Sequence, residues 1–177
     1  MEEEVYKAKQ KQLFKDRDTL RTSGRAVISF GMISTLKAIL DFTVGEYKLT
    51  NILEETEDVP PNIVMAIVIV MIFLVLLVFF MFYYITGAGA RKEGDSQSGG
   101  TLYLVFATLL GLLSFAGVCL SVSIFATRKF ELEELFDMIA SALVDLATFY
   151  ICFEIMRSGI RAKKLKKELG YQEGVDL

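Results

Sequence analysis

The stretch Ile63 to Phe82 reads IVMAIVIVMIFLVLLVFFMF, an unbroken run of apolar residues with no charge, glycine or proline in it. Its length matches the ~20 residues that carry an α-helix across a ~30 Å hydrocarbon core. A transmembrane helix accounts for it, and a buried helix of a soluble protein does not need such uniformity. Pro61 just before the run suits a first helical turn, and Tyr83 and Tyr84 just after it read as an interfacial aromatic belt.

Composition supports the same class. Of 177 residues, 53% are hydrophobic, more than a soluble core of this size requires. The 23% that are charged gather at the two ends and in the connecting segments. A net charge of -3 averages basic tails against acid elsewhere, so it carries no implication of nucleic-acid binding. Histidine is absent, which removes the commonest metal ligand and the usual near-neutral acid or base. The start, Met-Glu-Glu-Glu, is acidic and no small-residue cleavage site follows, so no signal peptide is expected and the first apolar helix stays in place.

Three further spans are expected. Leu102 to Ala126 is apolar with small residues interspersed, and Phe136 to Ile155 is apolar apart from Asp137, Asp145 and Glu154. The first, Ala26 to Leu40, is short and contains Lys37. Loop charge decides in its favour. With four spans, at about 25–42, 62–85, 102–126 and 136–157, fifteen of the nineteen Lys and Arg residues fall on one side. The other side keeps Lys48, Arg128 and Lys129. Such a bias is what the positive-inside rule describes. The expected fold is therefore an all-α, antiparallel four-helix transmembrane bundle with the N-terminus and C-terminus both cytoplasmic, in a bacterial inner membrane.

The connecting segments follow from this frame. Residues 1–24 are a cytoplasmic segment in which Tyr6, Leu13 and Leu20 recur at seven-residue spacing, which fits either a helix lying on headgroups or a solvated tail. Residues 43–61 are an external loop, acidic together with Asp41 beside it, and 87–100, GAGARKEGDSQSGG, read as a flexible cytoplasmic linker. The glycines there match no phosphate-binding pattern. Residues 158–177 form a basic tail in which Arg161, Lys163, Lys164, Lys166 and Lys167 are expected to contact anionic lipid headgroups, and Gly170 to stop the helix.

Two stripes stand out. Ser141, Asp145, Thr148 and Cys152 share one face of the fourth span. A carboxylate near mid-membrane costs about 3 kcal/mol or more, so Asp145 is expected to face a partner or water, with Lys37 and Asp137 as further candidates on the outer side. Ala107, Gly111, Ser114 and Ser121 form a small-residue face on the third span, suited to close helix packing. No nucleophile with a base and no metal-ligand cluster occurs, so neither an enzyme nor a cofactor is expected. The expected function is an accessory, assembly or regulatory membrane subunit that packs against itself or another membrane protein. An oligomeric channel or transporter lined by Asp145, and a lipid-binding or membrane-stress-sensing protein, are the alternatives.

Overall fold

The computed structural model describes residues 2–44, 61–97, 99–127 and 132–170, and over these it is all-helical. Four helices follow in chain order: α1 (Glu2–Val44), α2 (Pro61–Gly94), α3 (Leu102–Thr127) and α4 (Leu132–Glu168). Stretches within α2, α3 and α4 are long and apolar enough to cross a membrane. This is a membrane protein with three such helices among the described residues. The apolar part of α1 is shorter and is interrupted by Lys37. Residues 45–60, which hold nearly all of the expected acidic loop, lie outside the described residues, as do Arg128 and Lys129.

Residues 2–23 are helical and run without a break into the apolar half of α1. At ~1.5 Å per residue this 43-residue helix is about 64 Å long, twice a hydrocarbon core, so its charged half extends past the apolar zone. Leu13, Arg17, Leu20, Gly24, Val27 and Gly31 are all buried, and they alternate steps of four and three. That 3.5-residue spacing is the pattern of a coiled-coil seam, and it continues from the charged half into the apolar half.

The seam meets α2 at glycine. A Cβ on Gly24 would lie 2.7 Å from the Gly87 carbonyl oxygen, and one on Gly94 would lie 2.7 Å from that of Arg17. Numbers on α2 fall as those on α1 rise. Residues 87–94, expected in a flexible linker, are thus the last two turns of α2. Glycine here serves close backbone approach, and the connecting turn shrinks to residues 95–101.

On α3, Ala107, Gly111 and Ser114 are buried and Ser121 is half-buried. Gly111 faces Cys152 of α4, where an added Cβ would find ordinary contact at 3.5 Å. The small-residue face is therefore occupied by α4 of the same chain over this part of its length. α4 runs past the apolar zone to Glu168, and Gly170, with φ of 67°, ends it as expected from its tolerance of the left-handed region.

The charged ends of α1, α2 and α4 pack together. Arg161 donates to Asp16 at 2.9 Å, Lys9 pairs with Glu168 at 2.9 Å, and Arg21 pairs with Asp95 at 2.6 Å. Lys166 lies 2.6 Å from Glu93, whose other oxygen accepts from the Gly99 N–H at 3.1 Å. The apolar stretch of α2 is left uncovered: no residue from Ile63 to Phe82 is buried, and Phe73 is 64% exposed.

Candidate functional site

The inward stripe of α4 reaches each of the other three helices. Lys37 of α1 donates from its ammonium to the Ser141 hydroxyl. Asp145, half-buried, packs its carboxylate on Gly117 of α3, so close that a Cβ there would meet Oδ2 at 2.5 Å. Lys37 is near enough to act electrostatically on Asp145. Thr148 is fully buried and donates to the Val144 carbonyl at 2.8 Å. Cys152 is likewise buried.

Tyr83 closes the cluster from α2. It was expected beside Tyr84 in an interfacial belt, yet it is only 6% exposed, whereas Tyr84 is 53% exposed. The reason is local packing: Gly31 of α1 has no side chain, and Tyr83 fills that space, its Cβ 2.5 Å and its ring Cγ 2.6 Å from where a Cβ would stand. The Tyr83 side chain thereby comes among Ser34 of α1 and Thr148, Cys152 and Asp145 of α4. One ammonium, one carboxylate, several hydroxyls and a thiol share the interior of the apolar zone.

Asp137, a candidate partner of Lys37, is exposed, and Lys37 instead bonds Ser141, four residues further along α4. The tail cations divide. Arg161 turns onto Asp16, Lys166 onto Glu93, and Lys163 onto the Gly100 carbonyl and the Tyr103 ring, 5.4 Å from its centroid. Lys164 and Lys167 are exposed. Five residues of this arrangement escape a sequence reading made span by span: Asp16, Ser34, Tyr83, Glu93 and Gly117. The seven-residue seam of α1 carries a signal for two of them, since Asp16 adjoins its position 17 and Tyr83 meets its position 31.

Chemically, the cluster brings an ammonium and a carboxyl together in a medium where either charge alone is expensive, and the Lys37–Ser141 hydrogen bond joins α1 to α4. Among the described residues, no three His, Cys, Asp or Glu side chains converge in a way that could hold a metal ion. No family model, curated protein or solved structure matches the chain.

Proposed function

We propose that the chain is an antiparallel four-span bundle with both termini cytoplasmic, and that it is a non-enzymatic accessory, assembly or regulatory subunit of the membrane. It acts by packing against copies of itself or another membrane protein. The observation that supports this reading is the division of surfaces. Ser141, Asp145 and Thr148 of α4 and much of the small-residue face of α3 meet other helices or lie inside the chain, while α2 offers an apolar face from Ile63 to Phe82 with no buried residue. Helix association in lipid rests on packing along such faces.

The test is a tagged purification in mild detergent with a photo-crosslinker placed at Phe73 of α2. A defined oligomer or a single dominant adduct is expected. A monodisperse monomer with no adduct would refute the proposal.

A second reading, an oligomeric channel or transporter, draws support from the cluster of Lys37, Ser141 and Asp145 among α1, α3 and α4. Intramembrane ionisable residues commonly mark such paths. Proteoliposomes would then show an ion or solute flux that falls when Asp145→Asn is introduced, and a flux absent in both proteins removes this reading.

A further inference from the structure

An open groove of about 450 Å³ lies between the end of α2 and the start of α3. Tyr84, Ile85 and Ala88 of α2 line it with Leu102 of α3, Gly100 closes one edge, and Lys92 is the one charge among its lining residues. Glu93, next in sequence, spends its carboxylate on Lys166 and on the N–H of Gly99, a residue of the groove wall, and is not itself a lining residue. A second cation flanks the groove, since Lys163 donates to the Gly100 carbonyl. α3 also begins at this edge, at Leu102, and the N-terminal end of a helix carries partial positive charge.

Depth and surface chemistry narrow the occupant. The uncharged stretch of α2 ends just before Arg91 and Lys92, eight residues past the apolar run, so the groove lies where an apolar surface gives way to a charged one. Its walls continue into the exposed apolar surface at Met81 on α2 and Val105 on α3. A soluble phosphate has no use for such walls, and a lipid of no net charge, whose phosphate is offset by its own cation, gains less from Lys92 than an anionic one. We propose that the groove binds one anionic phospholipid, with its phosphate between Lys92 and the start of α3 and an acyl chain beside Tyr84 and Leu102. The volume suits a headgroup with its first carbons. Apart from Lys163 at its edge, this site is distinct from the tail cations of α4, of which Arg161 and Lys166 are engaged inside the chain. It does not depend on which protein α2 meets.

The experiment is native mass spectrometry of the full chain released from nanodiscs that mix phosphatidylglycerol with phosphatidylcholine. The wild-type chain is expected to retain phosphatidylglycerol preferentially. Lys92→Ala lowers that retention about fivefold, the equivalent of ~1 kcal/mol for one interfacial cation. Ala88→Phe, which fills the groove without changing charge, lowers it too, and Lys167→Ala, an exposed tail cation outside the groove, leaves it unchanged. Equal losses for Lys92→Ala and Lys167→Ala would overturn the proposal, because they report general membrane electrostatics. Equal retention of both lipids would overturn it, as would displacement of the lipid by inorganic phosphate alone.

Discussion

The ammonium of Lys166 lies 2.6 Å from Oε1 of Glu93, and their side chains are only 13% and 3% exposed. This pair ties the tail of α4 to the last turn of α2, and the second Glu93 oxygen extends the tie to the connecting turn through Gly99. A basic tail that sequence places on lipid headgroups is therefore partly an internal strut.

Removing one member of this pair strands a charge with little solvent around it. Glu93→Ala is expected to cost about 3 kcal/mol of stability, and Lys166→Met a similar amount, within the range for broken buried pairs. The double variant Glu93→Leu with Lys166→Met should recover most of the loss, because apolar replacement removes both desolvation costs. Unfolding in mild detergent, followed by circular dichroism as a double-mutant cycle, measures the coupling. Additive losses would show that the two side chains act independently.

Two glycines separate close approach from backbone conformation. At Gly87 an added Cβ would meet the Gly24 carbonyl oxygen and Ile28 Cγ1, both at 2.5 Å, so Gly87→Ala must push α1 from α2. A loss of about 2 kcal/mol, typical of overpacking, is expected. At Gly100 nothing lies within 4 Å, but φ is 65°, so Gly100→Ala should cost only ~1 kcal/mol, the strain of a left-handed residue. Thermal unfolding of the two variants side by side checks the order, and a milder Gly87→Ala would contradict the close packing of α1 on α2.

Inside the apolar zone, Lys37→Met should destabilise the bundle by about 1 to 2 kcal/mol, since Ser141 loses its donor and Asp145 its nearby cation. Adding Asp145→Asn to Lys37→Met should restore part of that loss, because the remaining carboxylate is the costly group. Asp137→Asn, at an exposed position, should leave stability unchanged. Detergent unfolding of these variants is the measurement, and an Asp137 effect as large as that of Asp145 would reverse the assignment.

The membrane class was legible from Ile63 to Phe82 alone, because backbone satisfaction in lipid leaves few choices for such a run. Asp145 was legible for the same reason: its cost in lipid marks it whatever it contacts. The partners of Asp145 were not, since Gly117 and Tyr83 approach it from other helices and helix pairing is not written in any one span. The turns around Gly87 and Gly94 misled for a related reason. A glycine needed for close packing and a glycine in a flexible linker look alike until the neighbouring helix is known. Residues 2–23 were ambiguous because Leu13 and Leu20 make a narrow stripe, which becomes a seam only when extended through Gly24, Val27 and Gly31.

The account rests on α1 crossing the membrane beside the other three helices. The direct measurement is labelling of single cysteines by a membrane-impermeant maleimide in intact cells, with Cys119 and Cys152 replaced by alanine. Single cysteines at Glu4, Lys48 and Gln97 report the three positions that matter. Four spans predict reaction in intact cells at Lys48→Cys alone, with Glu4→Cys and Gln97→Cys reacting only after the cells are permeabilised. Reaction of Glu4→Cys together with Lys48→Cys from outside would leave α1 on one side of the membrane and contradict the four-span bundle.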